Sequence, residues 1–188
     1  MGEDDFNHLL TIRPADLKIE PFKETANVRS FDCGNAALND FLTTDEVSKY
    51  EHEHLGRTYL VYHEGFLVAY FTISTDAIRL EYLRNVKSYS RFSEMRLEAV
   101  PGVKIGRLAI ARDWQNRGIG RMLVVYIAGM AMRGDFACRL LIVQSKPEST
   151  GFYLKCGFHS VVQTARERRR IKHTMYLDLE DIREEASR

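Results

Sequence analysis

Cysteine is scarce in this chain, and its scarcity excludes more than most residues present reveal. The three cysteines, Cys33, Cys138 and Cys156, are odd in number and far apart, with no C-x-x-C pair. That pattern argues against a disulfide framework and against a structural zinc site, and it suits a reduced cytoplasmic protein. The six histidines offer no metal spacing either, because His52 and His54 would point to different faces of a helix. Charge of one sign is not in excess. A formal net charge of +1 gives no global pull toward nucleic acid or membrane, so any such attraction must be local. The acidic start M-G-E-D-D-F-N-H-L-L lacks the basic region and apolar core of a signal peptide. The longest apolar run, residues 122–132, falls short of the ~20 residues that a membrane span needs. These absences place the chain in the cytoplasm, away from the membrane.

What is present describes one domain over residues 1–188, with 45% hydrophobic and 28% charged residues, as a soluble globular fold shows. No linker, repeat or low-complexity segment interrupts it before a charged tail from residue 180. A first strand is expected near residues 17–21. F-D-C-G-N-A-A-L-N-D-F-L at residues 31–42 ends a loop and opens a helix, with Asn35 or Asp32 as cap and Leu38, Phe41 and Leu42 as an inward stripe. Aromatic and β-branched residues predict strands at 58–63 and 66–78, joined by a tight hairpin at His63-Glu64-Gly65. Residues 79–102 are irregular and end in a turn at Pro101-Gly102.

The stretch that the rest serves is residues 103–120, V-K-I-G-R-L-A-I-A-R-D-W-Q-N-R-G-I-G. It reads as a buried strand to Ile110, a loop carrying Gln115, Asn116, Arg117, Gly118 and Gly120, and an amphipathic helix to Arg133. Ile119, Met122, Leu123, Tyr126, Ile127 and Met130 form the expected inward stripe of that helix. A glycine-bearing loop at a helix N-terminus offers unpaired N–H groups and the positive end of a dipole to a phosphate or pyrophosphate. Downstream, a strand at 139–144 and a short helix at 149–156 are expected, then a strand at 158–163. A basic connector at 164–172 leads to a last strand at 174–179.

The block G-R-L-A-I-A-R-D-W-Q-N-R-G-I-G-R-M-L, followed by F-Y-L-K-C-G-F at residues 152–158, resembles the GNAT acetyltransferase superfamily. The resemblance implies an α/β, three-layer fold whose central mixed sheet is splayed between its fourth and fifth strands. It also implies acetyl-CoA as co-substrate. Leu108, Ala109 and Ile110 would pair with the pantetheine amides, and Gln115, Asn116, Arg117, Gly118, Ile119, Gly120 and Arg121 would hold the pyrophosphate. Tyr153 would protonate the departing thiolate. No metal is implied. Glu94, Glu98 and His63 stay open as general bases. Many family members carry an asparagine seven residues before the motif tyrosine, where this chain has Lys146.

F-x-C-G-x-x-x-L-x-x-F-L at residues 31–42 is similar to the opening of the GNAT toxins of toxin–antitoxin pairs, which acetylate the amino acid on a charged tRNA. That likeness implies an aminoacyl-tRNA acceptor, a ribbon-helix-helix antitoxin as partner, and Arg166, Arg168, Arg169, Arg170 and Lys172 as a phosphate-contacting run. The alternatives are an enzyme acting on a small-molecule or protein amine, and a non-catalytic CoA-binding module. A homodimer stays open.

Overall fold

The computed structural model describes residues 12–134, 136–161 and 172–186. In chain order the elements are β1 (Leu17–Pro21), α1 (Ala36–Thr43), α2 (Glu46–His52), β2 (Arg57–His63), β3 (Phe66–Arg79), α3 (Tyr89–Glu94) and β4 (Ala99–Ile110). There follow α4 (Ile119–Arg133), β5 (Leu140–Ser145), α5 (Pro147–Lys155), β6 (His159–Ser160), β7 (His173–Asp178) and α6 (Leu179–Ala186). The strands form a seven-stranded sheet in the order β1-β2-β3-β4-β5-β7-β6. The sheet is mixed: β4 and β5 run parallel, while β1–β2, β2–β3, β5–β7 and β6–β7 run antiparallel. The α/β class expected from the sequence is the one observed.

Two compact units divide the chain, one of Met1–Ile73 with Arg107–Val125, the other of Ser74–Gly106 with Tyr126–Arg188. In the first unit, Asn35 caps α1 by accepting from the Leu38 N–H at 3.3 Å. The capped helix then buries Phe41 and Leu42 completely, against Phe31, Leu60, Tyr70 and Ala109. Each such side chain contributes roughly 1.5–3 kcal/mol when removed from water. Arg107, from the far end of β4, lays its guanidinium 3.5 Å from the Phe41 ring centroid and pairs with Glu46 at 3.3 Å. The β2–β3 hairpin turns through Glu64 (φ 49°) and Gly65 (φ 85°), the two left-handed residues that a tight two-residue turn requires.

In the second unit, Ile78, Leu80, Leu83, Val100, Leu140, Ile142 and Tyr176 share one buried cluster. Arg139 ties its rim together. Its guanidinium donates to Asp178 and Ser88, each at 3.0 Å, and to Glu180 at 3.2 Å. Asp178 is only 4% exposed, so removing its partner would leave a buried carboxylate unpaired, a change that typically costs ~3–5 kcal/mol.

Two expectations are corrected. Pro101 and Gly102 are not a turn: β4 already runs from Ala99, and Gly102 pairs with Leu140. The glycine serves close approach, since a Cβ there would lie 2.6 Å from the Leu140 carbonyl oxygen. The buried residues of α4 are Ile119, Leu123, Val124, Ile127, Ala128 and Ala131, whereas Tyr126 is 38% exposed and Met122 and Met130 are half-buried. The inward stripe is therefore rotated from the expected one. The charged stretch from residue 180 falls largely within the helix α6. An unpredicted helix, α2, follows α1. The strand expected at 158–163 is observed as β6, and residues 162–163, like residues 164–171 of the basic connector, lie outside the described residues.

Candidate active site

The β4–β5 ladder is short. It runs from Gly102↔Leu140 to Ile105↔Val143, and among the described residues no further pairs follow, although β4 continues to Ile110 and β5 to Ser145. Beyond Ile105, therefore, β4 has lost its β5 partner. Within that stretch Ala109 is 3% exposed, built into the first unit's core, and its neighbours Leu108 and Ile110 are half-buried.

After Ile110 the chain turns through a short 3-10 helix, Arg112–Trp114, into the loop at residues 115–121. Asn116 (φ 61°) and Gly118 (φ 80°) both adopt left-handed backbone. The space where a Gly118 Cβ would stand is open. The first turn of α4 closes with the Met122 N–H on the Gly118 carbonyl at 3.1 Å, so the N–H groups ahead of it lack intrahelical acceptors. These backbone donors stand at the positive end of a 15-residue helix. Arg117 and Arg121 are exposed, with the Arg117 guanidinium 5.1 Å from the ring centroid of Trp114. Trp114 in turn lies against His63, ring centroids 5.0 Å apart.

Gln115 takes a part that spacing alone did not reveal. Its side-chain amide donates to the Ile110 carbonyl at 2.9 Å and to the Cys33 carbonyl at 2.8 Å, fastening the loop to the end of β4 and to the segment before α1. Arg112 reinforces the second link: its guanidinium lies 2.8 Å from the Asp32 carboxylate, and its N–H donates to the Asp32 carbonyl at 2.9 Å. Asp32 also accepts from the Gly34 N–H and the Asn39 amide, and these bonds, with Arg112 beside it, hold its carboxyl below the usual range. F-D-C-G-N, read above as the start of a helix and as part of the toxin-like opening, supplies Asp32 and Cys33 to this clasp, but nothing in it points to Arg112 or Gln115.

Tyr153 belongs to α5, which opens on Pro147 in its first turn, where a missing N–H costs nothing. The tyrosine is 7% exposed and edge-on to Phe158 at 5.3 Å and to Phe152 at 5.0 Å between centroids. Burial, and secondarily Cys156, pushes its phenol up to about 12, so the group keeps its proton throughout the neutral range. Gly157 (φ 87°) ends the helix in left-handed backbone. Lys146 stands exposed just before α5.

Of the bases left open, Glu94 and Glu98 are exposed, and His63 has a buried Nδ1 with no hydrogen-bond partner. No cluster of three metal-ligating side chains occurs among the described residues. Nor is any described helix long and apolar enough to cross a membrane.

A family model described as an acetyltransferase (GNAT) domain matches residues 31–178. The chain belongs to the GNAT acetyltransferase family. It is an N-acetyltransferase with acetyl-CoA as co-substrate, as the sequence motifs implied. Solved GNAT structures share its fold. A tyrosine-to-phenylalanine variant of KacT superposes with a TM-score of 0.73 at 23% identity, covering 90% of this chain and 98% of its own. AtaT complexed with acetyl-methionyl-tRNAfMet gives 0.72 at 24% identity, covering 89% and 98%. A variant of the AtaT toxin bound to the C-terminus of the antitoxin AtaR and acetyl-CoA gives 0.69 at 24%, covering 92% and 99%. No curated protein matches the chain.

Proposed function

We propose that the acceptor of this acetyltransferase is the amino acid carried by a charged tRNA, that the chain acts in the cytoplasm as a toxin, and that an antitoxin of the ribbon-helix-helix type restrains it. The observation that carries this reading is the likeness over 89% of the chain to AtaT in complex with acetyl-methionyl-tRNAfMet, joined to the F-D-C-G-N opening that the structure fastens to the co-substrate loop. The AtaT toxin bound to the AtaR C-terminus supports the antitoxin.

In this reading the residues divide the labour. The unpaired edge of β4 at Leu108, Ala109 and Ile110 binds pantetheine amides through backbone groups. The loop from Asn116 to Arg121 binds the pyrophosphate through N–H donors, with charge-assisted contacts from Arg117 and Arg121. Gln115 fixes that loop in place. Tyr153, protonated at neutral pH, gives its proton to the CoA thiolate as the C–S bond breaks. Incubating the protein with radiolabelled acetyl-CoA and, in parallel, charged tRNA, uncharged tRNA and a polyamine panel tests the reading. Label is expected on charged tRNA alone. Label on polyamines but not on charged tRNA would make the chain a small-amine enzyme instead.

A further inference from the structure

One face of the second unit's sheet changes character along its strands. Alternate residues of a strand share a face. On this one Ile78 of β3, Val100 of β4, Leu140 and Ile142 of β5 and Tyr176 of β7 are buried together. Followed by the same alternation toward the end where the β4–β5 ladder stops, the next side chains are Asp76 on β3, Lys104 on β4, Gln144 on β5 and Thr174 on β7. All four are polar and at least partly exposed. Lys104 pairs in register with Ile142, one step before the last pair, Ile105↔Val143. Helix α5 is on the opposite face, since Gly157 at its end approaches Leu177, whose partner in register is Leu141.

Within this row Lys104 Nζ lies 3.5 Å from Asp76 Oδ2, with side chains 28% and 34% exposed. The contact is longer than the ~2.7–2.9 Å of a close charge-assisted bond. The other oxygen, Oδ1, accepts the neighbouring Ala77 N–H at 2.8 Å. A carboxylate has about four lone-pair sites, so Asp76 keeps capacity for a further donor. A half-buried carboxylate next to a core face costs free energy unless it has a cationic partner, and a loosely held lysine supplies only part of one.

We propose that Asp76, positioned by Lys104, binds the ammonium group of the acceptor and takes up the proton that the amine sheds before attack. The inference rests on the acetyl-transfer reading above. The amine nitrogen, once deprotonated, forms a C–N bond to the acetyl carbon. The C–S bond breaks with its electron pair going to sulfur, and Tyr153 protonates that sulfur from the opposite face of the sheet. Asp76 passes its proton to water, and Tyr153 regains one from water, so the net products are the acetylated amine, CoA thiol and one proton.

The test is steady-state kinetics of Asp76→Asn and Asp76→Glu with charged tRNA and with the polyamine panel, alongside acetyl-CoA affinity and melting temperature. Loss of the ammonium contact together with the proton acceptor predicts a ~10²–10⁴-fold fall in kcat/KM for Asp76→Asn, expressed both as a higher acceptor KM and as a lower kcat. Acetyl-CoA affinity and melting temperature should stay at wild-type values, and Asp76→Glu should recover most of the activity. An unchanged acceptor KM and kcat in Asp76→Asn overturns the inference while leaving the tRNA reading intact. So does a loss that Asp76→Glu shares equally. If wild type acetylates polyamines but not charged tRNA, the tRNA reading fails, and the same comparison on polyamines decides the role of Asp76. A wild type that acetylates neither overturns both.

Discussion

The loop at residues 115–121 and the polar row of Asp76 and Lys104 both present charge-recognising groups, but they are built in opposite ways. The loop works through main chain. Asn116 and Gly118 take left-handed backbone ahead of the unpaired N–H groups of the α4 N-terminus, and the Gln115 side chain reaches neighbouring carbonyls rather than open space. The row works through side chains brought together by strand pairing, with Lys104 and Asp76 meeting across two strands at 3.5 Å. Backbone recognition should therefore tolerate changes of side chain and fail when the backbone angle is lost. Side-chain recognition should fail when one functional group is replaced and survive a conservative swap.

Two glycines, one in the loop and one on the strand that carries Lys104, give the sharpest contrast and the largest expected effect. Gly102 stands where a Cβ would meet the Leu140 carbonyl oxygen at 2.6 Å and the Ile142 Cδ1 at 2.7 Å, so Gly102→Val forces β4 and β5 apart. Overpacking of this kind should cost ~3 kcal/mol or more and lower the melting temperature by about 10 °C in a chain of this size. Gly118→Val, with open space around it but φ 80°, should keep the fold at a strain of ~1–2 kcal/mol while weakening acetyl-CoA binding by ~100-fold in calorimetry. A folded Gly118→Val protein with wild-type affinity would remove the pyrophosphate from this loop. A smaller effect is expected at the clasp. Gln115→Leu leaves the Cys33 and Ile110 carbonyls without their donor, and acetyl-CoA affinity should fall ~10-fold by the same measurement, with little change in melting temperature. Equal affinities for wild type and Gln115→Leu would show that the loop holds its shape without the clasp.

What the sequence made legible follows the same division. Local signals carried: the Asn35 cap, the Glu64-Gly65 turn, β1 at Leu17–Pro21 and the strand–loop–helix around residues 103–133 all depend on neighbours in sequence. Long-range consequences did not. Pro101-Gly102 carries the local signature of a turn, and only the close approach of Leu140 shows why glycine lies within a strand. The rotation of the α4 stripe depends on what packs against that helix, which periodicity does not specify, because Val124 and Ala128 are as eligible for burial as Met122 and Tyr126. In the site, the loop and Tyr153 were legible as motifs. The Gln115 clasp and the Asp76–Lys104 pair join residues distant in sequence, and nothing local announces either partner.

On the proposed division of labour binding and chemistry are separable, with the loop holding acetyl-CoA and Tyr153 protonating the leaving thiolate. Its most direct test is Tyr153→Phe, with acetyl-CoA affinity measured by calorimetry and single-turnover acetyl transfer measured on the same preparation. The phenol is buried among Phe152 and Phe158, so phenylalanine fits the site and the fold should persist. Affinity is expected to stay within about twofold of wild type and the transfer rate to fall ~10²–10⁴-fold, the usual cost of removing a proton donor. A wild-type transfer rate, or a loss of acetyl-CoA affinity as large as the loss of rate, would contradict it.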